Sequence, residues 1–313
     1  MNDINVSPKG DSSPLTDPEN GKLDIKPDDE IVDLTHKRIE KIQGLEVLKC
    51  VETVCLRQNL IKKIEGLNTL TTLLSLDLYD NQIPEIENIE GLINLDQLDL
   101  SFNFISSIQN LSSLTNLTRL YLVQNKIPTI ENLDSLINLK ILELGNNKIR
   151  KIENLGTLVN IEELYLGGNK ISVLENIGHL SKLRILSVQQ NRIVKISGLE
   201  GLLELEEVYL SDNGIEVIEN LDCNLKLTVL DLSNNKISKL ENISMLVEIE
   251  ELWLNDNEIS DIRQLKECEE MTKIETIYLE GNPVQKSDMT GYRRKIKLNM
   301  PESLKQIDAT WCK

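Results

Sequence analysis

Ten asparagines constrain this chain more than any other feature. Asn59, Asn81, Asn103, Asn125, Asn147, Asn169, Asn191, Asn213, Asn235 and Asn257 recur at a constant interval of 22 residues. Lys37 stands one interval before the series, and Asn282 follows it after a longer step of 25. A period of this length marks one small structural unit stacked many times, rather than a set of independent domains. Twelve units run from about Ile31 to Pro283.

Each unit reads L-x-x-L-x-L-x-x-N-x-I-x-x-I-x-x-L, as in IEELYLGGNKISVLENI. The x-L-x-L-x part alternates with period two, which predicts a short strand with its leucines inward and its other residues outward. The asparagine then leaves the strand, where its amide can satisfy backbone groups of a turn. The return path is too short for a long helix and predicts a 3-10 or single turn. One unit cannot bury its apolar face alone, so stacking must supply the stability. This pattern resembles the leucine-rich repeat. The resemblance implies an α/β repeat solenoid: twelve units, a curved parallel β-sheet on the concave face, short 3-10 or irregular convex segments and a C-terminal cap.

The ends differ from the middle. Residues 1–22, rich in Pro, Ser, Asp and Gly, have little to bury and are expected to be a disordered tail. The solenoid is expected over 23–283 and the cap over 284–313. Within the cap, Asp288 is expected to start a short helix with Tyr292, Ile296 and Met300 on one face, stopped by Pro301. The following LKQIDA reads as extended and able to cover the open edge of the last strand.

Composition argues against several functions. A net charge of −17 repels phosphate backbones, so nucleic acid is not an expected partner, whereas a basic protein surface is. The opening MNDINVSPKG has no basic segment followed by an apolar stretch, and no apolar run reaches bilayer length, so neither a secretory leader nor a membrane span is expected. Five widely spaced cysteines and two histidines, His36 and His179, form no metal-ligand or nucleophile pattern. No phosphate-binding glycine loop opens a helix. We therefore expect no enzyme, no cofactor and no metal.

The outward residue between the two strand leucines carries the functional signal. From first unit to last it is Asp33, Cys55, Asp77, Asp99, Tyr121, Glu143, Tyr165, Ser187, Tyr209, Asp231, Trp253 and Tyr278. Five of the ten aromatic residues of the chain occupy this one row. Tyr79 points the same way from the next outward position, and Glu163, Glu207 and Glu251 flank the row. Strand propensity accounts for an aromatic in a strand, but not for the near absence of aromatics on the convex side. Large amphipathic rings with carboxylates between them suit a protein-binding face that takes basic groups.

At this level the chain resembles one family, the leucine-rich-repeat regulatory subunits of protein phosphatase 1. The resemblance rests on the near-uniform 22-residue spacing and on LYDNQI, LDLSFN, DNGIEVIEN, ENIS, LWLNDNEI and YLEGNPVQK…YRRKIKL…IDAT. It implies a non-catalytic subunit whose concave face holds the phosphatase catalytic subunit and controls its assembly, activity or targeting. The contacts it implies are Asp99, Tyr121, Glu143, Tyr165, Asp231, Glu251, Trp253 and Tyr278, with Asp77, Tyr79 and Tyr209 as secondary candidates. It also implies a nuclear and cytoplasmic location, a role in the cell cycle and room for a further phosphatase inhibitor subunit. A basic–Val/Ile–x–Phe/Trp docking peptide, used by many partners of that phosphatase, is missing, so the rigid face would have to bind. An adaptor for a spliceosomal or cytoskeletal partner is the alternative.

Overall fold

The computed structural model describes residues 25–312; the expected tail over 1–22 lies outside them. Twelve three-residue strands lie side by side: β1 (Ile31–Asp33), β2 (Thr53–Cys55), β3 (Ser75–Asp77), β4 (Gln97–Asp99), β5 (Arg119–Tyr121), β6 (Ile141–Glu143), β7 (Glu163–Tyr165), β8 (Ile185–Ser187), β9 (Glu207–Tyr209), β10 (Val229–Asp231), β11 (Glu251–Trp253) and β12 (Thr276–Tyr278). All pair in parallel and in chain order, so each repeat position forms a straight column across the sheet. The middle residue of each strand is buried, and its two neighbours face out.

The asparagine series explains why the units stack in register. Nδ2 of Asn125 donates to the carbonyls of Leu122 at 3.2 Å in its own unit and Leu100 at 3.0 Å in the unit before. Its Oδ1 accepts from the amide of Ile105 at 2.9 Å. One buried amide thus pairs backbone groups that neither strand nor turn could satisfy. The residue before each such asparagine adopts a positive φ. Asp, Asn, Gln or Gly fills most of these positions, but Phe102 (φ 56°) fills one, where a ring is costly.

A second asparagine series, not foreseen from the sequence, runs along the return path. Asn88, Asn110, Asn132, Asn154, Asn176, Asn220 and Asn242 all have positive φ. Each donates to a carbonyl 24 residues earlier, as Asn132 does to Ile108 at 2.7 Å. Among the described residues, the return segments are mostly single turns, with 3-10 helix only at Leu45–Val47 and Ile262–Cys268. Inside the coil, columns of Leu and Ile are fully buried from unit to unit, forming one continuous core.

After β12 the pattern changes. Helix α1 (Pro283–Ser287) leads into α2 (Tyr292–Asn299), which buries Tyr292 and Ile296. The residue capping α2 is Gly291 rather than Asp288. Asp288 acts one turn earlier, its Oδ1 accepting from the Gly291 amide at 2.9 Å while its other oxygen meets Lys295 Nζ at 2.7 Å. Strand β13 (Gln306–Ile307) then adds in parallel to β12, and β14 (Thr310–Trp311) folds back antiparallel on β13. The last repeat strand therefore has its edge covered, as the extended LKQIDA segment implied.

Candidate functional site

The parallel register places the outward residues in two principal columns. One holds Asp99, Tyr121, Glu143, Tyr165, Ser187, Tyr209, Asp231, Trp253 and Tyr278; the other holds Gln97, Arg119, Ile141, Glu163, Ile185, Glu207, Val229, Glu251 and Thr276. Across β6 to β11 they form a checkerboard. A strand with Glu then aromatic alternates with a strand bearing an aliphatic residue then an acidic or hydroxyl one. The repeat of this face is therefore two units, or 44 residues, visible in IEELYL, LEEVYL and IEELWL. That doubled period marks the face in the sequence, although each single unit conceals it.

The rings do not project freely into water. Tyr121, Tyr165, Tyr209, Trp253 and Tyr278 are each half-buried against the sheet. The hydroxyl of Tyr165 donates to Glu163 Oε2 at 2.7 Å, and that of Tyr209 to Glu207 Oε2 at 2.7 Å. Trp253 Nε1 repeats the contact with Glu251 Oε2 at 3.1 Å. Residues two apart on a strand share a face, so each glutamate fixes the ring beside it. Burial and the adjacent glutamate hold the Tyr165 and Tyr209 phenols protonated well beyond the ordinary tyrosine range. Trp253 and Tyr278 also pack on each other, ring centroids 5.0 Å apart.

The carboxylates differ among themselves. Burial raises the pKa of Asp99, against the pull of the Ser101 amide, which donates to its Oδ1 at 2.8 Å. Glu143 is raised by burial and then by the negative charges of Asp99 and Glu163. Asp231 is only 5% exposed, and its Oδ1 accepts from both the amide and hydroxyl of Ser233. Of the predicted contacts it is the least available.

The secondary candidates fall into two places. Tyr209 belongs to the main column. Asp77 continues that column one strand beyond Asp99, and with Tyr79 it forms a cluster near the first units, where Arg57 pairs with Asp77 at 3.0 Å and lies 4.2 Å over the Tyr79 ring. Tyr79 packs in turn on Phe102, centroids 4.8 Å apart. Burial outweighs Arg57 at Asp77, whose carboxyl is raised.

Comparison with known proteins agrees with this architecture. Residues 115–157, 159–201 and 203–245 match the family described as Leucine Rich repeats (2 copies). Internalin InlF of Listeria monocytogenes superimposes with a TM-score of 0.71, covering 90% of this chain and 87% of that one at 22% identity. A leucine-rich-repeat protein of Leptospira interrogans does so at 0.68, covering 84% and 73% at 24% identity. The fold is the leucine-rich-repeat solenoid. At such identities these structures share its fold alone.

In sequence, short stretches of this chain are similar to regulatory subunits of protein phosphatase 1. Protein phosphatase 1 regulatory subunit SDS22 of Saccharomyces cerevisiae is 56% identical over 41 residues, 13% of this chain and 12% of that protein. Protein phosphatase 1 regulatory subunit 7 of Xenopus tropicalis is 54% identical over 52 residues, 17% of this chain and 14% of that protein. The matched stretches thus span about an eighth of the relatives' length. Among the described residues, no helix is long and apolar enough to cross a membrane.

Proposed function

We propose that this protein is a non-catalytic regulatory subunit that binds the catalytic subunit of protein phosphatase 1 on its concave face. The observation that carries the reading is the checkerboard of β6 to β11, with Asp99, Tyr121 and Tyr278 continuing its column on either side. Half-buried rings, three of them fixed by a neighbouring glutamate, alternate with carboxylates on a rigid sheet. Such rings lose little entropy on binding, and fixed carboxylates select a basic, apolar-centred partner surface. The local identity to SDS22 and regulatory subunit 7 supports this partner within that chemistry. Asp99, Tyr121, Glu143, Tyr165, Glu251, Trp253 and Tyr278 are the contacts, with Tyr209 in the same column and Asp231 as support beneath it. A nuclear and cytoplasmic location, and a further inhibitor subunit on the same complex, belong to this reading. Calorimetry of the full chain with the purified catalytic subunit tests it. A one-to-one complex abolished by substitutions at these positions is expected; absence of a complex, or one indifferent to them, rejects the reading.

A further inference from the structure

Trp311, at 68%, is the most exposed aromatic side chain among the described residues. It lies beyond the repeats, but the sheet continues to it. Gln306 of β13 pairs with Thr276 of β12, and Trp311 of β14 pairs with Gln306. Directly opposed residues of an antiparallel pair point to the same face. The column Glu207, Val229, Glu251, Thr276, Gln306 therefore ends in Trp311, on the concave side. Gln306 Nε2 donates to Tyr278 Oη at 3.0 Å, so the residue paired with Trp311 is itself tied to the ring pair of Trp253 and Tyr278. Three strand spacings put Trp311 about 14 Å from Trp253.

The hairpin does not need this ring. Ile307 anchors it in the core, only 1% exposed. Arg293, reaching from α2, donates to the carbonyls of Ile307 at 2.6 Å and Thr310 at 3.0 Å, and the Cys312 amide closes the pair on Lys305 at 2.7 Å. An indole left in water on a backbone clamped by other groups is a preorganised anchor, the type of residue that dominates binding when it enters a partner's pocket.

We propose that Trp311 is the outermost contact of the concave face, filling an apolar pocket on the same phosphatase catalytic subunit that covers Trp253 and Tyr278. The inference rests on the function proposed above and extends its site beyond the repeats. The test uses full-length protein labelled with 5-fluorotryptophan, whose two signals are assigned with Trp253→Phe and Trp311→Phe. Fluorine NMR then reports each indole separately while the unlabelled catalytic subunit is silent. On complex formation both resonances are expected to shift and lose their H2O/D2O solvent-isotope shift, and Trp311→Ala is expected to weaken binding about fivefold or more. If the Trp253 signal responds while that of Trp311 stays solvent-exposed and Trp311→Ala binds like wild type, the inference is wrong and the proposed function stands. If a complex forms and neither signal responds, or no complex forms, both are wrong.

Discussion

The indole Nε1 of Trp253 donates to Oε2 of Glu251, two residues back on the same strand, at 3.1 Å. Glu251 therefore does two things: it places a carboxylate on the outward face and it fixes the ring beside it. Glu251→Lys removes both, whereas Glu251→Gln keeps an oxygen acceptor and removes only the charge. We expect the lysine variant to bind the phosphatase catalytic subunit more weakly than the glutamine variant, and both more weakly than wild type. Calorimetry ranks the three; equal affinity of the two variants would show that neither the ring contact nor the reversed charge adds to loss of the carboxylate.

Trp253→Ala should stay folded, because Leu252 and Leu254 on either side are fully buried and keep the core. Its binding should fall by about thirtyfold, the effect of losing about 2 kcal/mol at a hot spot. Lys239→Ala, at an exposed position on the return path, should bind normally. Circular dichroism with calorimetry checks all three statements. A folded Trp253→Ala of wild-type affinity beside a failing Lys239→Ala puts the partner on another surface.

The stacking amides predict a stability contrast. Asn147 is buried, donates to Leu122 and Leu144 carbonyls at 2.9 and 3.1 Å, and accepts from the Ile127 amide at 3.0 Å. Asn147→Ala leaves those groups unpaired in the interior and should cost about 1–3 kcal/mol or more. Asn138 is exposed with one bond, to the Thr115 carbonyl at 2.9 Å, and Asn138→Ala should cost under about 0.5 kcal/mol. Urea unfolding of both variants decides; similar midpoints would mean that the buried series does not hold the units together.

These contrasts also separate what was legible in the sequence from what was not. Strands, core columns and the Asn59-to-Asn257 series follow from a 22-residue period, because the stack repeats one local geometry. The position of Tyr165 and Trp253 on the concave face follows from the same period. Their half-burial does not, because it depends on where the phenol or indole finds a partner across the face. Asp231 looks from the sequence like any outward acid, and only the Ser233 contacts show that it is turned into the structure. Trp311 was hidden for a different reason: its face is set by an antiparallel return that no repeat position encodes.

Phe102 offers a test of local strain. At φ 56° it holds a ring in a backbone region suited to Asn or Gly, while its contact with Tyr79 offsets part of that cost. Phe102→Asn exchanges the two effects, so stability should change by less than about 1 kcal/mol. Leu100→Ala, two residues away but fully buried, should cost about 2–5 kcal/mol. Should Phe102→Asn prove as damaging as Leu100→Ala in urea unfolding, the ring contact outweighs the strain.

The raised carboxyls make binding and stability respond to pH in opposite directions. Burial lifts Asp99 and Glu143 above their ordinary values of 3.8 and 4.5. The folded, free protein thus holds these protons more tightly than the unfolded chain does. Their contribution to stability is most favourable at low pH and is lost as pH rises through the folded pKa. A basic partner acts the other way, favouring the ionised forms and drawing the same pKa values down. Binding therefore releases protons in the window between bound and free pKa values, and affinity falls as pH is lowered through the free-state values. The onset should lie at a higher pH than for exposed carboxylates. Asp99→Asn with Glu143→Gln should be at least as stable as wild type at pH 7, bind the phosphatase more weakly, and show a flatter pH profile. Calorimetry in two buffers of different ionisation enthalpy measures the released protons directly. Identical proton release from wild type and the double variant would place the titrating groups outside this face, on the partner or elsewhere on the solenoid.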